Sequence, residues 1–277
     1  IDNNFWLKVH TKLNSDLSKI KVGTYSIAPN TSVIELLEKI VAGKEHQFKI
    51  TFIEGSTLKQ WLELLKNHPR VKHTLAEVNE ENQIKYKEVA TKLNLNFEYP
   101  EGVFFPETYA FINQTSDVAI LQRAYEKMQQ ILNDAWKNRA NDLPYSTPYQ
   151  ALIMASIIEK ESGLYTEHAL ISSVFVNRLN IGMRLQTDPT IIYGLGSRYK
   201  GDIKREHKRE KTAYNTYRIN GLPPTPIAMP SKASLIATLN PESSEYLYFV
   251  SNGAGKHIFS TNLADHNKAV VKYQLNR

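Results

Sequence analysis

The chain of 277 residues contains no cysteine, which excludes disulfides, thiolate metal sites and cysteine nucleophiles. Nor does any run approach the roughly 18 apolar residues that a membrane-spanning helix requires. The longest such stretch, around Ala151–Ile158, is far too short. Familiar catalytic signatures are missing as well: there is no HExxH, no GxSxG and no GxGxxG. Gly253-Ala254-Gly255-Lys256 has the composition of a phosphate loop without its spacing, and no helix follows at once. The eight histidines lack metal-ligand spacing, so no metal or other cofactor is expected, and His257 and His266 read as ordinary polar contacts. Missing cysteine fits an oxidising compartment without requiring one.

What is present is a globular composition, 42% hydrophobic and 22% charged, enough to build a core in one large domain or two smaller ones. Lysine and arginine number 34 against 28 acidic residues, giving a charge of +6 and favouring an anionic partner: nucleic acid, a membrane surface or an acidic wall polymer. Nucleic acid fits worst, because no basic helix carries interleaved aromatics. The basic run Lys200–Lys211 has one apolar residue, Ile203, and reads as a solvated loop before it reads as an anion site.

Patterning divides the chain into a first part of short strands and helices and a second, more helical part. Gly23–Ile27 is expected to be a strand, followed by a helix that Asn30-Thr31-Ser32 caps and Gly43 ends, with Val33, Leu36, Leu37 and Ile40 on one stripe. Phe48–Ile53 reads as the next strand, and Gly55-Ser56-Thr57 caps a helix bearing Leu58, Trp61, Leu62 and Leu65. The two units match at an offset of 26 residues, a weak internal duplication. Glu77–Leu95 is polar and poorly periodic, hence a connector. Helices are expected over Ser116–Arg139, from Pro148 to about Ser162 with Gly163 as its stop, over Glu167–Asn180, and after Thr187-Asp188-Pro189. Asn215–Pro230 is loop, and Tyr246–Val250 with His257–Thr261 flank an Asn-Gly turn as a hairpin.

The stretch ALIMASIIEKESG, Ala151–Gly163, carries the chemical signal. At 100° per residue, Glu161 emerges from the Met154, Ile157 and Ile158 stripe near the helix C-terminus, whereas Glu159 lies some 200° away in the direction of Leu152 and Ala155. The two cannot form one carboxylate pair. A carboxyl among apolar side chains at the negative end of a helix should have a raised pKa and can act as a general acid. Position alone leaves a second reading open, in which Glu161 pairs with a lysine or arginine and seals the helix end. For a partner carboxylate, Asp188 is nearest but reads as a helix cap, and Glu107 has no independent support. Asn177, Arg178, Gln186, Tyr193, Tyr214, Asn215, Tyr217 and Asn220 combine amides and flat rings where a sugar could lie.

The segments EGVFFPETY (Glu101–Tyr109), ASIIEKES (Ala155–Ser162), VFVNRLNIGMRLQTDPTIIYGLG (Val174–Gly196), TAYNTYRINGLPPTPIAMP (Thr212–Pro230) and YLYFVSNGAGKHIFSTNLADHNKAV (Tyr246–Val270) together resemble the endolytic murein transglycosylase family, the YceG-like or MltG proteins. VGTYSI near the start and IEGSTLKQW (Ile53–Trp61) match too, so the resemblance covers nearly the whole chain. It implies an α+β fold with a small LysM-like peptidoglycan-binding part at residues 1–100, truncated at its start, and a catalytic part at 101–277 with a helical core and a C-terminal β-hairpin. It makes Glu161, the glutamate of the Glu-Ser pair, the catalytic residue, and it implies cleavage of MurNAc-β-1,4-GlcNAc bonds within glycan strands to leave 1,6-anhydro ends. Gln186, Tyr193, Tyr214 and Asn215 are then expected to orient the substrate, with Asn177 beside them, although Asn177 and Arg178 also have a structural reading. The family further implies a single N-terminal inner-membrane helix, absent from a chain that starts at Ile1, a periplasmic catalytic part, and wall synthases as partners. A muramidase that cuts the same bond with water and a non-catalytic wall-binding scaffold are the competing expectations.

Overall fold

The computed structural model describes residues 19–75, 83–97 and 99–275, together with Lys12. The expected mixture of helices and small sheets is what forms, with three two-stranded sheets among the described residues.

Helix α1 (Val33–Ala42) begins at Ser32, whose hydroxyl accepts from the Glu35 amide while Glu35 returns the bond, and it ends at Gly43 with φ 68°. Strand β1 (Phe48–Thr51) leads to α2 (Leu58–Asn67), capped in the same reciprocal way by Thr57 and Gln60. The caps Ser32 and Thr57 stand 25 residues apart, one fewer than the expected offset of 26. They also differ in depth. Leu58, Trp61, Leu62 and Leu65 are all buried, with Trp61 stacked 3.8 Å from the Phe52 ring, whereas α1 buries Leu37 alone.

Two expectations for this part fail for physical reasons. Gly23–Ile27 forms no strand: Ile27 is exposed, and the Thr24 amide is taken by the Glu45 carboxylate instead of a neighbouring strand. The segment read as a connector contains α3 (Gln83–Lys92), which buries Val89 and Ala90 while Leu93 just beyond it is buried too; residues 76–82 lie outside the described residues. Strand β2 (Val71–Lys72) follows α2 and pairs in parallel with β4 (Thr115–Ser116).

Strand β3 (Thr108–Phe111) pairs antiparallel with β1, Ile50 opposite Tyr109, so residues on both sides of position 100 share one ladder. They also share one core, in which Trp61 and Leu62 of α2 meet Val103, Phe104 and Phe111, and Leu121 and Met128 of α4 (Asp117–Lys137). A second core lies around α5 (Pro148–Glu161), α6 (His168–Asn180) and the loop before α9 (Lys232–Leu239).

Helix α5 joins the two cores. Leu152 and Ala155 face the first, while Ile153, Met154, Ile157 and Ile158 face the second. Every residue from Ala151 to Ile158 is buried, as expected of a helix that is apolar all round. Each of its large side chains is worth roughly 1.5–3 kcal/mol of burial, which locks the helix axis and hence the polar residues at its C-terminal end. That end is set by Ser162 in an extended conformation, one residue before the expected Gly163. The C-terminal hairpin forms as expected, β5 (Tyr248–Ser251) against β6 (His257–Ser260), with Asn252 Oδ1 accepting from the Ala254 and Lys256 amides across the turn. Helix α10 (Leu263–Val270) then packs on the hairpin.

Candidate active site

The last turn of α5 presents two glutamates with different surroundings. Glu159 Oε2 accepts from the Ser231 amide (2.9 Å) and the Ser234 hydroxyl (2.5 Å), at the N-terminus of α9. Ser234 Oγ in turn lies 3.1 Å from His168 Nδ1, and His168 Nε2 lies 2.8 Å from the Ser162 carbonyl. Glu159 therefore ties three helices together. Glu161 points elsewhere and receives one hydrogen bond, from the Thr187 hydroxyl. No lysine or arginine forms an ion pair with it among the described residues.

Enclosure pushes the Glu161 carboxyl up to about 7; the Thr187 hydroxyl pulls it back down, the Asp188 charge pushes it further up, and Arg178 opposes that push. Part of the side chain remains open to solvent. Such a group is protonated in a large fraction of molecules at neutral pH and remains reachable, the two requirements of a general acid.

Thr187 is the N-cap of α7 (Asp188–Leu195), yet its hydroxyl makes no capping bond; Glu161 takes it. Asp188 is therefore not the cap expected from its sequence. It occupies the first helical position, where its carboxylate accepts from the Tyr217 hydroxyl (2.6 Å) and pairs with Lys208 (3.1 Å). Lys208 sits in a short helix, α8 (Arg205–Arg209), so the basic run is not wholly a solvated loop. Gln186, one residue before Thr187, adopts φ 49° and is exposed. A left-handed non-glycine residue at such a place fits a functional constraint.

A cleft of about 660 Å³ opens between α2 and α7, lined by Lys59, Tyr86, Glu101, Lys160, Tyr193 and Tyr214 among others. Tyr193 and Tyr214 meet edge to face at 4.9 Å, and the Tyr193 hydroxyl donates to Glu101 Oε2 at 3.1 Å. Asn215 and Asn177 are not brought to this cleft. Asn215 is 1% exposed and spends its amide hydrogens on the His207 and Glu210 carbonyls, while Asn177 spends its own on Ser244 and Tyr246. Arg178 is likewise engaged by the Leu247 and Leu185 carbonyls, Asn220 accepts from Arg184, and Glu107 pairs with Lys127 away from Glu161.

A family model described as the YceG-like family matches residues 1–272. The chain belongs to the YceG-like family. It is 32% identical over 92% of its length to an endolytic murein transglycosylase of Bacillus subtilis, of which it covers 74%. A protein of the same name from Streptococcus pneumoniae is 27% identical over 92% of this chain, which spans about half (51%) of that relative. The crystal structure of a YceG-like protein from Listeria monocytogenes superposes with a TM-score of 0.67 at 30% identity, covering 96% of this chain and 90% of that one.

Within this YceG-like chain the residue that sequence reasoning missed is Glu101. It is fully buried, its Oε1 accepts from the Leu58 amide at 2.8 Å, and burial pushes its carboxyl up to about 7. The turn that holds it is tight: at Gly102, with φ 77°, a Cβ would stand 2.2 Å from Pro226. Its one sequence signal was the place of Glu-Gly at the head of the matched EGVFFPETY segment.

Proposed function

We propose that this chain is a lytic transglycosylase acting within murein glycan strands, with Glu161 as its single acid and base. The observation that carries this reading is a half-buried glutamate whose carboxyl is pushed up to about 7 and held by one hydroxyl, on a chain related to proteins named endolytic murein transglycosylases. Protonated Glu161 gives its proton to the glycosidic oxygen of the leaving GlcNAc as the C1–O bond breaks. The resulting carboxylate takes the proton of the muramyl C6 hydroxyl, whose oxygen closes on C1 to form the 1,6-anhydro ring. No water is consumed, and because the nucleophile belongs to the substrate, the second carboxylate usual in glycosidases is not required. Gln186, Tyr193 and Tyr214 are assigned to substrate contact, while Asn215 acts by holding the chain next to Tyr214 against the His207 and Glu210 carbonyls, and Asn177 by holding the chain at Ser244 and Tyr246.

Residues 1–100 carry the LysM-like reading and 101–277 the catalytic one, joined through the β1–β3 ladder and the shared core. Wall binding by the first part, a membrane anchor preceding it, a periplasmic site and wall synthases as partners belong to the same proposal.

One observation favours a second reading, hydrolysis by water. Asp188 lies close enough to Glu161 for its charge to be felt there, and two carboxyls about one site are what a hydrolase uses. Mass spectrometry of digested, uncrosslinked strands separates the two. Anhydro ends, lighter by one water than reducing ends, are the expected product; reducing ends alone would establish the muramidase. Glu161→Gln that still cut strands at the parent rate would remove Glu161 from either mechanism, whereas a parent chain that cut no strand would leave the scaffold reading.

A further inference from the structure

We propose that the cleft between α2 and α7 is a subsite for the acidic peptide that muramyl sugars carry, so that the enzyme reads the stem peptide as well as the sugar. The inference rests on murein being the substrate and concerns the part of it that no step of the cleavage touches.

The cleft wall is continuous in the chain with the elements that hold Glu161. Lys160 on its wall precedes Glu161 directly, and Pro189, Ile192 and Tyr193 continue the helix whose cap, Thr187, holds Glu161. A substituent on the sugar at Glu161 therefore has a neighbouring cavity to enter.

The lining chemistry suits a peptide better than further sugar. A sugar needs many free hydrogen-bonding groups, and several of those in the wall are engaged. The Tyr193 hydroxyl donates to Glu101, the Tyr214 hydroxyl is 2.7 Å from Thr225 Oγ1, the Tyr86 hydroxyl meets the Lys59 amide, and Gln60 closes the α2 capping box. What the cleft offers instead is ring faces, the apolar surfaces of Ile192 and Ile227, and two ammonium groups. Lys59 and Lys160 have no carboxylate partner among the described residues; Lys160 Nζ meets only the Gly55 carbonyl at 3.0 Å. The one acid in the wall, Glu101, is fully buried with both oxygens engaged by Leu58 and Tyr193. Methyl groups alternating with carboxylates, as in a stem peptide, match this combination of apolar walls and unpaired cations.

The test compares strands bearing stem peptides with the same strands stripped by an amidase. The parent enzyme should show a kcat/KM about five- to tenfold higher on peptide-bearing strands, the size expected of two partly exposed charge pairs. In the double variant Lys59→Gln, Lys160→Gln the two substrates should become equivalent, mainly through KM on the peptide-bearing strand. Equal cleavage by the parent enzyme, or a preference that survives the double substitution, would overturn the inference while leaving the transglycosylase reading intact. If neither strand is cut, that reading fails and binding decides the inference. An N-acetylated stem tripeptide of alanine, glutamate and diaminopimelate, which is net acidic, titrated by NMR, should shift resonances around Tyr86 and Tyr193 in the parent chain and not in the double variant. No shift at millimolar peptide would overturn it.

Discussion

Glu101 lines the cleft and Glu161 follows directly on Lys160 of its wall, and enclosure drives both carboxyls up to about 7. Their surroundings nevertheless assign them opposite work. Glu101 is sealed, with each oxygen engaged by a donor from a different part of the chain, Leu58 on one side and Tyr193 on the other. Glu161 keeps part of its surface open and accepts one hydroxyl. A raised pKa alone therefore does not identify a catalytic acid. The carboxyl must also have an oxygen left for the substrate and a path for the substrate to reach it. Glu159, two residues from Glu161 on the same helix, makes the point from the other direction: it is engaged by Ser231 and Ser234 and holds α9 in place.

The largest effect expected is on Glu161. Its replacement by glutamine should lower strand cleavage by about 10³-fold or more with the melting temperature nearly unchanged, since general acid–base catalysis supplies about 10²–10⁴-fold and here one group serves twice. Glu159→Gln should show the converse, a lower melting temperature with the remaining folded enzyme still active. If the two variants behaved alike, the division of labour along α5 would be wrong.

Glu101 comes next. Glu101→Ala leaves the Leu58 amide and the Tyr193 hydroxyl without partners in a buried place and should cost about 2–4 kcal/mol in urea unfolding. Glu101→Gln keeps the shape and removes the titration. Because the folded-state pKa lies above the ordinary 4.5, Glu101 binds its proton more tightly when folded. Its contribution is full below 4.5 and is lost as pH rises toward 7, up to about 3 kcal/mol. The glutamine variant should therefore lose less stability than the parent between pH 5 and pH 8.

The sequence made legible whatever depends on neighbours along the chain. The cap at Thr57, the buried stripe of α2, the hairpin around Asn252 and the escape of Glu161 from an apolar helix face all follow from residues close together along the chain. What stayed hidden depends on distant partners. Glu101 is bonded to groups 43 and 92 residues away, and nothing local announces either. Asp188 satisfied the local rule for a cap, but Tyr217 and Lys208, 29 and 20 residues further on, outbid it. Gly23–Ile27 had the composition of a strand and no strand to pair with, while α3 was masked by lysine and glutamate on its exposed faces. Asn177 and Asn215 had the right chemistry for sugar, yet backbone carbonyls had already engaged it.

The smallest effects expected are shifts of the pH profile, and they distinguish the two carboxyls most finely. As the acid, Glu161 must be protonated in the free enzyme, so kcat/KM should fall tenfold per pH unit above about 7. Thr187 donates to the carboxylate form and holds the pKa down; Thr187→Val should move this alkaline limb to higher pH. Asp188 holds it up through its charge; Asp188→Asn should move the limb to lower pH. Each shift should be about half a unit to one unit, the size of a single neighbouring hydrogen bond or partly screened charge. Glu101→Gln should leave the limb where it is, because Glu101 is not among the groups that act on Glu161. A limb that followed Glu101 and ignored Thr187 and Asp188 would mean that the proton delivered to the substrate comes from the sealed carboxyl and not from the open one.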